Sequence, residues 1–348
     1  VNEVHISEIN PDRLAEVKAQ TGALTATTDW EPIVANPAID AVMISATPES
    51  THYPMTKACL ETGKHVLLEK PIALTLDEAD ELVELARAKN LKFTIGYSQR
   101  FNVKQALVKQ RLADGTLGTP VSALISRHIS RKLGDKIGGR IKLSPAAMEA
   151  THDIDFMLWC LAPLRPVRVY AQAVNKVMQD KYGIADCMSI VITMDDGVVL
   201  TINAGWVLPP GYPNFNTTWM EIVGSEGALI IDDTHRDTVL NTMSGGMVLP
   251  VSTMPGEELG HVFAGPMHAE TLHFIEAVVL DREVTHTCEG CPGVDRTRRV
   301  RRGVDHEELR RIGDRCGEVV QRRFQLELIR RGVDPPEVGT SELRHGLI

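Results

Sequence analysis

The sequence predicts an α/β protein in which a doubly wound parallel sheet is followed by an α+β domain with a large, mainly antiparallel open sheet. The first third of the chain alternates short apolar runs with helical patterns, which is the signature of βαβ units on a parallel sheet. After Pro120, strand patterns follow one another, with turn signals such as Asp195-Asp196-Gly197 between them. We therefore expect one domain over residues 1–119, a second over 120–284 and an atypical tail over 285–348.

Signals at the ends of the segments justify each element of the first domain. Asn10-Pro11 supplies an N-cap and a first-turn proline for a helix that ends near Gly22. Thr75 and Glu78 form a capping box for a helix that runs to about residue 89. The predicted strands are 4–8, 41–45, 65–68 and 93–97, and the predicted helices are 11–22, 51–62, 75–89 and 103–114.

Short alternating or apolar runs define the strands of the second domain, and one strong helical pattern interrupts them. The predicted strands are 121–128, 166–175, 187–194, 198–205, 219–223 and 228–231, and the predicted helix is 145–160.

The chain begins at what resembles the second strand of a nucleotide-binding half. Glu8 lies at the end of that strand, the position of an acidic residue that accepts a hydrogen bond from a ribose hydroxyl. However, no Gly-x-Gly-x-x-Gly turn precedes Glu8 in the sequence. The strand order 3-2-1-4-5-6 places strand one at the centre of the sheet. We therefore expect a Rossmann-type sheet whose first strand is missing, with about 30 residues preceding Val1, an estimate based on the spacing between fingerprint and acid.

The other end of the chain is also atypical. Beyond Asp281 arginines crowd together, and hydrophobic periodicity fades over 285–304 before an amphipathic pattern returns at 318–329. A reading-frame error or a divergent tail explains this composition. A basic helix that binds a partner is the alternative.

Composition narrows the class of protein. With 348 residues, 43% of them hydrophobic, the chain is long enough for two cored domains. A formal net charge of −9 argues against nucleic acid or an anionic membrane as the main partner, and no apolar stretch has the length of a membrane span. The six cysteines are scattered, which is typical of reduced thiols in the cytoplasm rather than of a disulfide framework.

Lys70 is the candidate catalytic residue that the sequence indicates most clearly. It lies in Glu69-Lys70-Pro71, directly after the short apolar strand 65–68. Ligands of doubly wound sheets bind beyond the carboxyl ends of the strands, and Pro71 makes the chain leave the strand abruptly. We therefore expect the Lys70 ammonium to point into the ligand crevice. A solvent-exposed lysine after a strand is the alternative.

Four motifs occur along the chain: Ala46-Thr47-Pro48 with His52, Glu69-Lys70-Pro71, Gly96-Tyr97-Ser98-Gln99-Arg100-Phe101, and His152-Asp153-Ile154-Asp155. In this order and spacing they resemble the Gfo/Idh/MocA oxidoreductases, a family that includes inositol and sugar dehydrogenases. The similarity covers about residues 1–280. It implies a nicotinamide dinucleotide, NAD or NADP, an N-terminal Rossmann domain, and a C-terminal open sheet that often mediates oligomerisation.

The resemblance implies cofactor contacts on the first domain. Lys70 matches the lysine near the nicotinamide and the reacting hydroxyl. Glu8 matches the ribose-binding acid, which favours NAD over NADP, although Arg13 nearby weakens the preference. A solvated loop carboxylate is the alternative for Glu8. For His52, capping of its own helix is the alternative. The predicted cofactor residues are Glu8, Thr47, Pro48, His52, Glu69, Lys70 and Arg100.

The resemblance also implies a substrate site on the helix that starts near residue 145. His152 matches the acid/base histidine of the family, and imidazole, with an ordinary pKa of about 6.5, suits proton transfer near neutral pH. Glu149, His152 and Asp155 follow one another at i, i+3 spacing, which places them on one helix face. The family often carries an aspartate four residues before the histidine, where this chain has Met148. Glu149 is the candidate replacement, and the alternative is that the substrate contacts differ from those of the family. A hydrogen-bonded histidine at a domain junction is the alternative for His152, and no metal site is predicted.

We therefore expect an NAD(P)-dependent oxidoreductase that transfers a hydride between nicotinamide and a secondary hydroxyl of a polyol or sugar-like substrate, as inositol 2-dehydrogenases do. Lys70 and His152 are expected to converge on one cleft between the domains, in a cytoplasmic homodimer or homotetramer with neither nucleic acid nor membrane as a partner. The alternative is a catalytically silent NAD(P)-binding sensor or regulatory protein of the same fold. A third possibility is redox-assisted glycoside cleavage with tightly held NAD.

Overall fold

The computed structural model describes residues 2–209, 216–233, 240–243, 246–248, 258–259, 262–263 and 265–285. These residues divide into two compact units. The first unit comprises 2–101 together with the described residues from 258 to 285, and the second comprises the described residues from 102 to 248. The predicted arginine-rich tail, apart from its first residue, lies outside the described residues.

The bounds of the elements, in chain order, are as follows. The strands are β1 (His5–Ser7), β2 (Thr25–Thr27), β3 (Ala41–Ile44), β4 (His65–Leu68), β5 (Phe93–Ile95), β6 (Pro120–Ser130), β7 (Pro166–Val174), β8 (Cys187–Met194), β9 (Val199–Leu208), β10 (Asn216–Gly224), β11 (Ala228–Asp232), β12 (Leu240–Thr242), β13 (Gly246–Val248), β14 (Glu258–Leu259) and β15 (Val262–Phe263). The helices are α1 (Pro11–Thr21), α2 (Glu31–Ala35), α3 (His52–Glu61), α4 (Leu76–Ala88), α5 (Val103–Ala113), α6 (Arg131–Arg140), α7 (Thr151–Leu161), α8 (Met178–Tyr182) and α9 (Met267–Val279).

Capping side chains determine where the helices of the first unit begin. The Asn10 side chain accepts hydrogen bonds from the first backbone amides of α1, and the Thr75 hydroxyl accepts one from the amide of Glu78 in α4. These amides have no partner within the first helical turn, so the caps supply it. The predicted bounds of both helices are confirmed to within one residue.

The parallel strands of the first unit form two separate sheets. One sheet contains β1 and β2, and the other has the order β3-β4-β5. In the strand order 3-2-1-4-5-6, strand one lies between these two groups. Among the described residues, no strand pairs with both groups.

The second unit is built on a six-stranded sheet with the order β11-β10-β6-β9-β8-β7. All neighbouring pairs are antiparallel except β6 and β9, which are parallel. This confirms the predicted mainly antiparallel sheet. Alternate residues of β9, namely Leu200, Ile202 and Ala204, are buried in a core that also contains Phe156 and Met157 of α7. The packing of α7 against the sheet therefore fixes the segment that carries His152.

Two helices group with a different unit from the one predicted from sequence. α5 packs against α7 and belongs to the second unit. α9 packs against β4 and a 3-10 turn at Ser98–Phe101, so it belongs to the first unit. Both groupings arise from packing between segments far apart in the chain, which local sequence patterns do not encode.

Across the described residues, no helix combines the length and the apolar character that crossing a bilayer requires.

Candidate active site

The end of β4 holds Lys70 in a tightly bonded backbone. The amide of Glu69 donates to the carbonyl of Ile44 at 2.8 Å, and the amide of Gly96 donates to the carbonyl of Leu68 at 2.7 Å. Lys70 follows directly, half-buried, and its own amide donates to Oε2 of Glu69 at 3.2 Å. Lys70 therefore leaves the sheet from a fixed backbone position at the carboxyl end of β4, the place that the sequence predicted.

The Glu69 carboxylate is packed beside Lys70. Burial raises the pKa of Glu69, and the positive charges of Lys70 and His52 oppose that rise. A Cβ atom at Gly96 would lie 3.1 Å from the carboxyl carbon of Glu69, so the absence of a side chain at this position leaves the carboxylate its space. The Glu69 carboxyl group therefore lies within electrostatic reach of both Lys70 and His52.

His52 connects the loops that follow β3 and β4. Its Nδ1 atom lies 2.7 Å from the carbonyl oxygen of Pro71, and its Nε2 atom lies 3.0 Å from the carbonyl oxygen of Ala46. Both partners lie outside α3, so these bonds do not cap the helix that His52 begins. Thr47 and Pro48, which follow Ala46, are exposed. Thr47, Pro48 and His52 are the predicted cofactor residues in this segment. The structure therefore leaves Thr47 and Pro48 accessible and buries His52.

Glu8 lies directly after β1. Its amide donates to the carbonyl of Thr27, and its Oε1 atom accepts a hydrogen bond from the amide of Asn10 at 2.9 Å. The carboxylate is therefore held beside the beginning of α1. The guanidinium of Arg13, the residue that weakened the preference for NAD, lies 2.9 Å from the carboxylate of Glu16.

Arg100 is buried at 5% exposure in the 3-10 turn Ser98–Phe101. Its Nη1 atom donates to the carbonyl oxygen of Thr285 at 3.1 Å. Phe101 of the same turn stacks at a tilt on His273 of α9, with 5.3 Å between the ring centroids. Arg100 thus ties this turn to the segment after α9, and its role in binding the cofactor stays a prediction.

A π-helical turn at Ala146–Ala150 precedes α7 and interrupts the predicted continuous helix. Glu149 belongs to this turn, whereas His152 and Asp155 belong to α7. A π turn changes the angular spacing of its residues, so the predicted i, i+3 relation holds for His152 and Asp155 but not for Glu149. Glu149 and His152 are half-buried, while Asp155 is buried at 5% exposure. Such turns occur frequently at functional sites.

Met148 lies in the same turn, at the position where the resemblance leads one to expect an aspartate. It is 5% exposed and belongs to an apolar cluster that includes Ile129 of β6 and Trp206 of β9. The methionine is therefore part of the packing between the π turn and the sheet, and Glu149 is the nearest carboxylate in sequence that is not buried.

A buried ion pair, which the sequence analysis missed, lies next to His152. Nε and Nη2 of Arg127 in β6 donate to the two carboxylate oxygens of Asp153 in α7, at 2.7 and 2.6 Å. The side chains are 2% and 0% exposed. Burial lowers the pKa of Arg127, but Asp153, together with Glu149 and Asp233, outweighs this effect and raises it. One signal was available: an arginine inside an otherwise apolar, inward-facing row of a strand requires a buried partner.

Among the described residues, no group of three or more histidine, cysteine, aspartate or glutamate side chains is arranged to hold a metal ion.

Comparison with known proteins places the chain in a family. A model of an oxidoreductase family with an NAD-binding Rossmann fold matches residues 2–97, and a model of the GFO/IDH/MocA C-terminal domain matches residues 106–230. Myo-inositol 2-dehydrogenase of Thermotoga maritima is 27% identical over 246 residues, which are 69% of this chain and 71% of that protein. Levoglucosan dehydrogenase of Pseudarthrobacter phenanthrenivorans is 33% identical over 260 residues, or 67% of this chain and 65% of that protein.

Solved structures show the same fold. Scyllo-inositol dehydrogenase from Lactobacillus casei, solved with NAD(H) and scyllo-inositol, has a TM-score of 0.69 at 21% identity, covering 82% of this chain and 84% of that one. The predicted fold, the NAD or NADP cofactor and the class of dehydrogenases and reductases are thereby confirmed. The two domain models, which together span most of residues 2–230 in the predicted order, show that the chain belongs to the Gfo/Idh/MocA family of oxidoreductases.

Proposed function

We propose that this chain transfers a hydride between NAD(P) and a secondary ring hydroxyl of a cyclic polyol or sugar, in the manner of an inositol 2-dehydrogenase. One observation carries the proposal: Lys70 follows β4 in a backbone bonded on both sides, through the amide of Glu69 and the carbonyl of Pro71. The names of the relatives, an inositol dehydrogenase and a levoglucosan dehydrogenase, support a substrate of this class.

The first unit offers groups that fit the cofactor. The Glu8 carboxylate, beside the beginning of α1, is an acceptor suited to the ribose hydroxyls, and Thr47 and Pro48 present an exposed loop after β3. The ion pair between Arg13 and Glu16 supports NAD over NADP, because it occupies a guanidinium that a 2′-phosphate would otherwise attract. Bound nicotinamide supplies the hydride acceptor when the alcohol is oxidised.

The chain's own residues handle the proton and the charge. The imidazole of His152 takes the proton of the reacting hydroxyl as the C–H bond breaks and the carbonyl forms. The Lys70 ammonium stabilises the negative charge that develops on the oxygen. Glu149 accepts from a neighbouring substrate hydroxyl, and Asp155, buried one turn after His152, orients the histidine.

Steady-state kinetics test the two catalytic assignments. Purified protein is mixed with NAD⁺ or NADP⁺ and a panel of inositols, sugars and anhydrosugars, and reduced nicotinamide is followed by absorbance. Lys70→Met is expected to lower kcat by about 10²–10³-fold, the effect of removing one charge-stabilising donor. His152→Asn is expected to lower kcat by about 10²–10⁴-fold, the contribution of a general base.

Two exposed residues supply matched controls. Lys89→Met removes a lysine at the exposed end of α4, and His268→Asn removes an exposed histidine of α9. Both controls should retain wild-type kcat. Undiminished turnover in Lys70→Met, with the fold intact by circular dichroism, would contradict the assignment.

A sensor that binds NAD(P) without turnover is the second candidate. The observation that favours it is the buried Met148, which places an apolar side chain where many family members carry an acid. NADH binding by fluorescence titration, together with no turnover on the whole panel, would select this alternative.

We further propose that the protein is a cytoplasmic homodimer or homotetramer that assembles through the outer face of the six-stranded sheet. Exposed apolar side chains on that face support this: Tyr170 is 60% exposed, Val174 39% and Ile230 57%. The described cysteines are free thiols, which fits a reducing compartment. Light scattering coupled to size exclusion tests the assembly, because Tyr170→Glu should shift the mass towards the monomer.

A further inference from the structure

His52 has no ring nitrogen left for a cofactor or a substrate. The residue is 2% exposed, and each nitrogen lies within 3.0 Å of a backbone carbonyl oxygen. These are full hydrogen-bond distances. Any effect of His52 on the reaction therefore passes through the backbone segments that it holds.

The two segments are the loops that carry the predicted site. Ala46 directly precedes Thr47, and Pro71 directly follows Lys70. β3 and β4 are neighbouring parallel strands, so both loops leave the same edge of the sheet. We infer that His52 is a positioning residue that joins the loop after β3 to the loop after β4 and so holds the backbone from which Lys70 projects. The inference rests on the proposed function, since Lys70 needs this position only if it acts on a substrate.

The direction of the two bonds depends on how many protons the His52 ring carries. Carbonyl oxygens only accept hydrogen bonds. A ring that carries two protons donates to both carbonyls, whereas a ring that carries one proton donates to one and turns a lone pair towards the other. In either form the ring lies between two carbonyl oxygens, at 2.7 and 3.0 Å, and so contacts both loops.

Two substitutions at His52 remove its hydrogen bonds to the two loops partly or completely. His52→Gln retains one donor of similar reach, and His52→Phe keeps a ring but no donor. We expect kcat to fall about tenfold in His52→Gln and about 100-fold in His52→Phe, because small displacements of a catalytic group have effects of this size. The Kd for NADH, measured by fluorescence titration, should rise by a smaller factor than kcat falls in both variants, because the ring nitrogens bind backbone carbonyl groups and act on the cofactor only through the loop that carries Thr47 and Pro48.

His65 provides the matched control. It lies at the opposite end of β4, is half-buried, and accepts a hydrogen bond at Nδ1 from the amide of Lys92 at 2.9 Å. His65→Gln alters a histidine hydrogen bond of the same strand without reaching either loop. Its kcat is expected to stay within about twofold of the wild type.

Hydrogen exchange measured by mass spectrometry tests the link without any turnover. Peptides that cover residues 45–50 and 69–73 should exchange faster in His52→Phe than in the wild type, and those of His65→Gln should not. If the wild type oxidises no polyol, the proposed function fails, while the exchange result still decides whether His52 joins the loops.

Three results would overturn the inference: unchanged kcat in His52→Phe, a Kd for NADH that rises as much as kcat falls, or unchanged exchange in both loops. Should His52→Phe fail to fold, His52→Gln decides the same three questions.

Discussion

Removing one partner of the buried Arg127–Asp153 pair should destabilise the second unit strongly, whereas removing both partners should not. The two side chains are 2% and 0% exposed and share two hydrogen bonds. Asp153→Asn or Arg127→Met leaves the remaining partner buried without its ion pair, and such a change costs about 3–5 kcal/mol. A double variant, Arg127→Met with Asp153→Leu, buries apolar groups instead and is expected to be about neutral or more stable than the wild type.

Urea unfolding followed by tryptophan fluorescence measures these differences. Trp159, Trp206 and Trp219 lie in the second unit, so the signal reports mainly on it. With a denaturant slope of about 2 kcal/mol/M, each single variant should lower the midpoint by about 1.5–2.5 M. Two side chains in direct contact give non-additive changes in the free energy of unfolding. If the changes in the two single variants added up to the change in the double variant, the reasoning would be refuted.

The exposed pair of Lys181 and Asp135 is the control for burial. Its charged atoms lie 3.0 Å apart, at side-chain exposures of 60% and 37%. Asp135→Asn should leave the midpoint within about 0.3 M of the wild type, since water and salt screen exposed pairs. If Asp135→Asn lowered the urea midpoint as much as Asp153→Asn does, burial would not be the cause of the destabilisation in Asp153→Asn.

Two glycines of α6 should respond in opposite directions to alanine. A Cβ at Gly134 would lie 2.7 Å from the carbonyl oxygen of Trp206, so Gly134→Ala should cost about 1–3 kcal/mol by overpacking. Gly139 has its nearest such contact at 3.9 Å, so Gly139→Ala should stabilise by about 0.5–1 kcal/mol through helix propensity; equal urea midpoints for the two variants would contradict this. Gly96→Ala should displace the Glu69 carboxylate and lower kcat by about tenfold, and an unchanged kcat would show that the carboxylate tolerates the displacement. Because burial raises the pKa of Glu69, its proton stabilises the folded state at low pH, and this contribution is lost as pH rises through the raised pKa. The urea midpoint of the wild type should therefore fall relative to that of Glu69→Gln as pH rises above the ordinary glutamate pKa of about 4.3.

Local signals predicted much of the fold. The caps at Asn10 and Thr75 fixed the starts of α1 and α4, and the run at 65–68 became β4 with the predicted bounds. Short or polar elements escaped prediction, among them β2 at Thr25–Thr27 and α6 at Arg131–Arg140, which contains three glycines. Their stability comes from packing rather than propensity.

Some features of the candidate site were predictable from local sequence, and others were not. The position of Lys70 after a buried strand was predictable, because proline and the strand ending both act within a few residues. The partners of His52 were not predictable, since its ring binds carbonyl groups 6 and 19 residues away. The π turn before His152 was also missed, and with it the different orientation of Glu149.

What the sequence determined by itself was the order of most strands and helices, the family motifs, and the end of β4 after which Lys70 lies. These depend on apolar periodicity, capping and turn residues, which act between neighbours in the chain. Only the tertiary structure decided which polar groups meet: Arg127 with Asp153 across 26 residues, and His52 with the loops after β3 and β4. A buried polar group must find a partner wherever packing brings one within reach, and the distance along the chain does not limit that choice.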